Sequence, residues 1–156
     1  MLLSLEQEGT SMKLVYQLTE ALKIDPEQIV LAQALTLNAL KPRLGLKGSL
    51  GLFGSQKWWA SINQKKMPLL HISGEISRAY CSGQSESGLN NTIDVVLEDG
   101  SKSTIGIYTN NKSDVQLFKI GCKIDIVYAL DELKQQPALD GGVNYSKIAL
   151  EMAISI

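Results

Sequence analysis

Alternating apolar and polar residues between positions 69 and 156 constrain the fold of this chain more than any other feature of its sequence. Successive side chains of a β-strand point to opposite faces, so a period of two predicts a strand with one buried face. Five such runs are present, and they predict strands over Leu69–Tyr80, Thr92–Glu98, Ser103–Thr109, Cys122–Leu130 and Tyr145–Ile156. The C-terminal part of the chain therefore predicts a five-stranded antiparallel β-domain.

The links between these strands indicate how they are ordered. Asp99-Gly100 separates two alternating runs and predicts a hairpin, while Val115–Phe118 predicts about one helical turn. Three meandering strands, a short helical link and two further strands are compatible with a small barrel-like sheet of the OB type. An SH3-like barrel, or a half-open sheet on the N-terminal helices, is the alternative.

The first 41 residues predict an αα-hairpin. Over Ser11–Lys23 the apolar positions follow the spacing of one helix face. Asp25 and Pro26 then predict the start of a second helix, which should end near Pro42. This second helix is apolar on nearly all sides, so we expect it to be buried or to lie in an interface. The sequence therefore predicts three segments: a helical hairpin (1–41), a cationic linker (42–67) and a β-domain (68–156). We expect them to form one compact α+β unit.

The linker has glycine at every third position from 45 to 54, followed by aromatic residues. No proline lies among the glycines, and neither a phosphate-binding loop nor a dinucleotide-binding motif is present. Glycine at this density disfavours a helix and indicates a loop that packs closely against another element.

Charge is segregated along the sequence, although the chain as a whole has a net charge of −1. Residues 28–74 contain no acidic residue and six basic ones, which are Lys41, Arg43, Lys47, Lys57, Lys65 and Lys66. Such a segment either pairs with the acidic flanks within the fold or contacts an anionic partner.

The bases and aromatic residues of the linker are the candidate binding residues. These are Phe53, Trp58 and Trp59 as aromatic anchors, with Lys57, Lys65 and Lys66. Aromatic side chains are typical anchors of protein interfaces, whereas interleaved bases and aromatics also suit single-stranded nucleic acid or a membrane surface. The same aromatics could instead belong to the protein core.

Enzymatic chemistry finds little support in the sequence. Its one histidine, His71, lies within a predicted strand, and Cys81 and Cys122 are 41 residues apart. We therefore predict no catalytic residue, no metal site and no cofactor. No apolar run is long enough to span a membrane and the start of the sequence lacks a signal-peptide pattern, so we expect a cytoplasmic protein.

The function predicted from these features is that of a non-enzymatic binding module whose partner is a protein. An inhibitor or immunity type is compatible with this, as is self-association through the second helix. Loops 82–91 and 131–142 are expected to add contact surface. Single-stranded nucleic-acid binding by an OB-like barrel, with the segment 41–66, is the alternative.

Overall fold

A computed structural model describes residues 2–7, 9–83, 88–134 and 143–156. Helices are α1 (Leu18–Ile24), α2 (Glu27–Leu37) and α3 (Gln56–Asn63), with a 3₁₀ helix over Lys112–Leu117. Strands are β1 (Glu6–Gln7), β2 (Thr10–Gln17), β3 (Leu69–Tyr80), β4 (Thr92–Leu97), β5 (Lys102–Gly106), β6 (Lys123–Glu132) and β7 (Tyr145–Ser155). The chain is thus of the α+β class.

Six of the strands form one antiparallel sheet in the order β2-β7-β6-β3-β4-β5, and the two-residue β1 pairs with β2 at one edge. All five strands predicted from the alternating runs are confirmed, with ends that differ by at most two or three residues. The predicted five-stranded, barrel-like OB or SH3 arrangement is not confirmed, because the sheet has a further strand and is not a closed barrel.

The further strand is β2, where the sequence had predicted the first half of a helix. It pairs antiparallel with β7, from Met12 opposite Ser155 to Gln17 opposite Glu151. Its register shifts between Leu14 and Tyr16, and such a bulge adds one residue to one strand and interrupts the period of two. The interrupted alternation mimics helical spacing, so the helix prediction is wrong over residues 11–17. Within the predicted hairpin (1–41), α1 and α2 are the helical parts.

The hairpin at Asp99-Gly100 is confirmed, since it joins β4 to β5. The Gly100 amide donates to the Leu97 carbonyl at 2.9 Å, and the Ser101 amide donates to the Asp99 carboxylate at 2.9 Å. Gly100 has a φ of +83°, which glycine adopts without steric cost. The hydrogen bonds from Ser101, the side-chain one first, lower the pKa of Asp99.

The chain divides into two compact units. Unit 1 consists of Met1–Ala21, His71–Val127 and Ala149–Ile156, and unit 2 consists of Leu22–Leu70 and Tyr128–Ile148. Eleven acidic and six basic residues give unit 1 a net charge of −5, whereas five acidic and nine basic residues give unit 2 a net charge of +4. The division into segments 1–41, 42–67 and 68–156 concerns contiguous domains and stays a prediction.

Each unit has its own buried apolar side chains. The core of unit 1 is formed by sheet residues such as Ile76, Ile93, Val95, Ile124, Ile126, Met152 and Ile154. In unit 2 the buried apolar side chains are Leu22, Phe53, Trp58, Ile62, Met67, Tyr128 and Ala129. The candidate aromatic anchors therefore belong to unit 2, together with helices α2 and α3.

Candidate functional site

Trp58 lies at the centre of unit 2. It belongs to α3, whose start is capped by Ser55: the hydroxyl of Ser55 accepts a hydrogen bond from the Trp58 amide at 3.2 Å. The indole is fully buried, and its Nε1–H donates to Oδ2 of Asp131 at 2.9 Å. A buried indole N–H needs a partner, so Asp131 satisfies the polar end of an otherwise apolar core residue.

Asp131 is itself buried, with 2% of its surface exposed, near the end of β6. Burial raises the pKa of its carboxyl group, while the hydrogen bond from Trp58 opposes that rise. The next residue, Glu132, is half-exposed and forms an ion pair with Lys47 at 3.3 Å. One cation of the acid-free segment is thus paired within the fold.

The three aromatic anchors form one cluster. The ring of Trp58 lies edge-on to Phe53, with centroids 5.0 Å apart, and edge-on to Trp59, with centroids 4.8 Å apart. Such edge-to-face geometry is the preferred packing of aromatic rings in a core. Phe53 and Trp58 are buried and Trp59 is half-buried, so only Trp59 offers part of its ring to solvent.

The three lysines of the predicted site are all exposed. Lys57 lies in α3, and Lys65 and Lys66 follow its C-terminal end. Lys65 has a φ of +59°, a conformation that glycine or asparagine usually occupies just after a helix. The structure therefore places the predicted cations on the surface of unit 2 and two of the aromatics beneath it; their role as a binding site stays a prediction.

The glycine repeat packs against one face of α2. A Cβ atom added at Gly45 would lie 2.8 Å from Cγ of Leu35, and one at Gly48 would lie 2.9 Å from Cγ2 of Thr36. At Gly54 it would lie 3.0 Å from Cγ1 of Ile29. The close packing indicated by the glycine spacing is thus present, and α2 is the element that receives it.

Hydrogen bonds fix α2 against the glycine loop and against Lys134, which follows β6. The Gln33 side chain donates to the carbonyl of Phe53 at 3.0 Å. At the other end, Nζ of Lys134 donates to the carbonyls of Leu35, Asn38 and Lys41 at 2.6, 3.3 and 3.1 Å. A cation at the C-terminal end of a helix satisfies free carbonyls and opposes the helix dipole. These contacts determine which face of α2 points inward.

The opposite face of α2 is apolar and exposed. Six of the eleven strongly exposed large apolar side chains among the described residues lie between positions 24 and 44: Ile24, Val30, Leu31, Leu37, Leu40 and Leu44. None of the residues of α2 is buried. We call Val30, Leu31, Ala34 and Leu37 the outer face of α2; clustered exposed apolar side chains of this kind mark interaction surfaces.

Unit 1 contains a concave site of a different character, which we call the trough. Its volume is about 910 Å³, and its lining comes from β2, β3, β4, β6 and the turn before β6. Buried apolar side chains contribute to the lining together with the exposed Ile120, and the hydroxyl groups come from Thr10, Ser73 and Ser77. A volume of this size lies within the range of ligand-binding pockets.

Acidic groups dominate the charge of the trough. Glu75, Glu98 and Asp125 line it, against Lys123 as the basic residue. The Ser73 hydroxyl donates a hydrogen bond to the buried Asp125, while Glu75 and Glu98 are exposed. The trough can therefore accept a group that has apolar surface and positive charge.

The histidine and the two cysteines are the remaining candidate groups for chemistry. Within the described ranges, no three His, Cys, Asp or Glu side chains are placed to hold a metal ion. Both cysteines are free, with Cys81 exposed and Cys122 half-buried, and His71 is exposed. None of the described helices is both long and apolar enough to cross a membrane.

A comparison with family models decides the class of the protein. The model described as Immunity protein RhsI2 matches residues 12–155, which is most of the chain. The chain belongs to this family. No curated protein matches it.

Membership of the Immunity protein RhsI2 family supports an inhibitor- or immunity-type module that acts through protein–protein interaction. It favours a non-catalytic role and gives no support to nucleic-acid binding by an OB-like barrel. In this immunity-family chain the predicted contact loops 82–91 and 131–142 lie partly outside the described residues, which omit 84–87 and 135–142.

Sequence reasoning missed the trough, although a signal for part of it exists. Ser73, Glu75 and Ser77 alternate with apolar residues along a predicted strand, so the sequence alone predicts that they share one polar face. These residues lie beside Glu98, Lys123 and Asp125 only because of the order of the strands in the sheet, and no local sequence pattern predicts that order. The outer face of α2 did leave a signal, since a helix apolar on all sides is expected to lie in an interface when it is not buried.

Proposed function

We propose that this member of the immunity-protein family protects its cell by binding a protein toxin and blocking it. The family match carries the proposal, because immunity-type protection requires a specific interaction with another protein. Two free cysteines fit a reducing, cytoplasmic location, which we propose together with the function.

The trough of unit 1 is the proposed contact for the toxin. Three carboxylates against one ammonium group, in a unit with a net charge of −5, favour a partner that presents basic side chains. Arginine and lysine also have apolar stems, which suit the apolar part of the lining. A basic segment of the toxin is therefore the occupant that the chemistry of the trough supports best.

The predicted site in unit 2 is proposed as a second contact, made by its exposed members. Lys57, Lys65 and Lys66 lie on the surface of a unit with a net charge of +4, and Trp59 is half-buried beside the buried Trp58. Phe53 and Trp58 would support this surface from beneath rather than contact the partner. Lys65→Gly tests it cleanly, since glycine accepts the φ of +59° and removes only the side chain.

The decisive experiment co-expresses the chain with each candidate toxin domain encoded in the genome that carries it. Growth rescue identifies the toxin, and calorimetry with the purified pair gives the dissociation constant. We expect Glu75→Lys to weaken binding by about tenfold or more, because it reverses a charge at the trough. Glu6→Lys is the matched control, since Glu6 is also an exposed acidic residue on a strand and does not line the trough.

Each result has one meaning. Failure of every toxin domain to bind or to be neutralised would overturn the proposed function. Equal effects of Glu75→Lys and Glu6→Lys in a chain that does neutralise a toxin would exclude the trough and leave the function intact. Weaker binding by Lys65→Gly, with normal stability, would assign the cationic surface of unit 2 to the interface.

A further inference from the structure

The outer face of α2 forms one apolar stripe with a small residue at its middle. Val30, Leu31 and Leu37 are 64%, 62% and 70% exposed, and Ala34 lies between them at helical spacing. Because 11 residues span only about 16 Å of helix, these side chains form a compact patch.

This face cannot be buried by a rotation of α2 within unit 2. Its inner face already packs on Gly45, Gly48 and Gly54, and the hydrogen bonds from Gln33 and Lys134 fix its orientation. Among the described residues of unit 2 the outer face stays exposed, so we consider another molecule as its cover.

The two ends of α2 carry side chains of opposite charge. Asp25 and Glu27 are exposed at its N-terminal end, whereas Lys41 and Arg43 are exposed beyond its C-terminal end. Lys23 and Arg43 already have interactions within the chain, so Glu27 and Lys41 are the more informative pair. An acidic end and a basic end on either side of an apolar stripe make the surface complementary to itself in the antiparallel direction.

The apolar stripe is symmetric about Ala34. Within α2, Leu31 and Leu37 are each three positions from Ala34, and Glu27 is about two helical turns before Ala34 on the same side of the helix. Lys41 follows four residues after α2 ends at Leu37. In a two-fold interface residue i of one copy contacts residue j of the other, and j contacts i. An antiparallel pair of α2 helices with Ala34 on the axis would bring leucine to leucine and acid to base at both ends. A parallel pair would bring like charges together.

We propose that the outer face of α2 binds a second copy of this chain in an antiparallel, two-fold dimer. Ala34 lies where the helices are closest, and its small side chain permits a close approach. The dimer uses a different surface from the trough of unit 1, so it does not depend on the proposed toxin contact.

Analytical ultracentrifugation over a wide range of concentrations tests the dimer. We expect the native chain to reach twice its mass of 17.0 kDa. Leu31→Asp should raise the dimer dissociation constant by about tenfold or more, because it places a charge in the apolar stripe. Leu89→Asp is the control: Leu89 is an exposed leucine of unit 1, so its substitution should leave the dimer unchanged. Circular dichroism of each variant confirms that it is folded.

Orientation is tested with charge exchange and cross-linking. Glu27→Lys and Lys41→Glu should each weaken the dimer, and the double variant should restore it, since the two residues exchange roles across the interface. Ala34→Cys, in a chain with Cys81 and Cys122 replaced by serine, should form a disulfide-linked dimer on oxidation, whereas Lys57→Cys in the same background should not.

Three results would overturn the dimer: a native chain that stays monomeric at its solubility limit, a double variant that is not restored, or equal oxidation of the two cysteine variants. A monomeric chain in which Leu31→Asp abolishes toxin binding would assign the outer face of α2 to the toxin instead. A dimer that forms in a chain unable to neutralise any toxin would support this inference while the proposed function failed.

Discussion

Helices α2 and α3 belong to the same unit, yet the more apolar helix of the two is the more exposed one. The sequence of α2 is mostly apolar and none of its residues is buried. The sequence of α3 is half polar, and it buries Trp58, Ser61 and Ile62. The comparison shows that burial follows the placement of apolar residues relative to a packing partner, and not their number.

Placement explains the difference in physical terms. Trp58, Ser61 and Ile62 follow the i, i+3, i+4 spacing of one helix face, so a single face of α3 buries all three side chains. In α2 the apolar residues occupy two opposite faces, of which only the inner one packs on the glycine loop. The buried helix should therefore control stability, and the exposed helix should control association.

Truncation of one large side chain in each helix gives the largest expected contrast. Trp58→Ala should lower the free energy of unfolding by about 3–5 kcal/mol, because it leaves a cavity in a fully buried site and removes the partner of Asp131. Leu31→Ala, at an exposed position of α2, should change the stability of the monomer by no more than about 0.5 kcal/mol. Urea unfolding at low protein concentration, where a dimer dissociates, measures both values. Similar losses in both variants would contradict the comparison.

A glycine packed under the start of α3 and a glycine in the open β4–β5 turn provide the second contrast. Gly51 has a φ of +115°, and an added Cβ would lie 2.6 Å from the amide nitrogen of Trp58. We expect Gly51→Ala to cost about 2–4 kcal/mol, since backbone strain and a clash with the first turn of α3 add together. Gly100→Ala is the control, because Gly100 has a φ of +83° but open space around it, and should cost about 1–2 kcal/mol. Equal losses would mean that strain alone, without the clash, sets the cost at Gly51.

Local patterns predicted what depends on local structure. The bounds of β3 agree with the alternation over Leu69–Tyr80, and Asp99-Gly100 correctly marked the hairpin. The bulge in β2 defeated the same reasoning, because one extra residue converts a period of two into apparent helical spacing. Neither the position of β7 between β2 and β6 nor the trough follows from any local pattern, since both depend on which distant strands pair. Trp58 illustrates the same limit, because its sequence neighbours cannot indicate that Asp131 would receive its N–H.

Substitution of Asp131 tests the polar part of the α3 core. Asp131→Leu should cost about 1–3 kcal/mol, because the buried indole N–H of Trp58 loses its acceptor. Asp131→Asn retains an acceptor oxygen of similar geometry and should therefore be much closer to the native chain at neutral pH. Thermal unfolding at pH 7 ranks the three proteins, and an equal loss in both variants would show that the carboxylate charge, and not the hydrogen bond, is what the core requires.

Asp131 also makes the stability of the native chain depend on pH. Burial raises the pKa of Asp131 above the value of about 3.9 that an aspartate has in an unfolded chain. Its contribution to stability is therefore fully present below the unfolded pKa and is lost as the pH rises through the folded pKa. Difference measurements between the native chain and Asp131→Asn across pH 3–7 isolate this contribution, because asparagine does not titrate. A difference that stays constant with pH would contradict it.

The caps of the two helices give the smallest contrast. Ser55 accepts a hydrogen bond from the Trp58 amide at the start of α3, whereas α2 begins after Pro26 with no side-chain cap, since the Asp25 carboxylate instead accepts from the Gln28 side chain. Ser55→Ala should lower stability by about 1 kcal/mol because it leaves an amide at the helix start without its acceptor. Asp25→Ala should change the monomer by about 0.5 kcal/mol or less, since it removes only an exposed contact. Urea midpoints of the two variants distinguish these values, provided that the dependence of the unfolding free energy on urea concentration is the same as in the native chain. A larger loss from Asp25→Ala would mean that the start of the exposed helix contributes as much to stability as the start of the buried one.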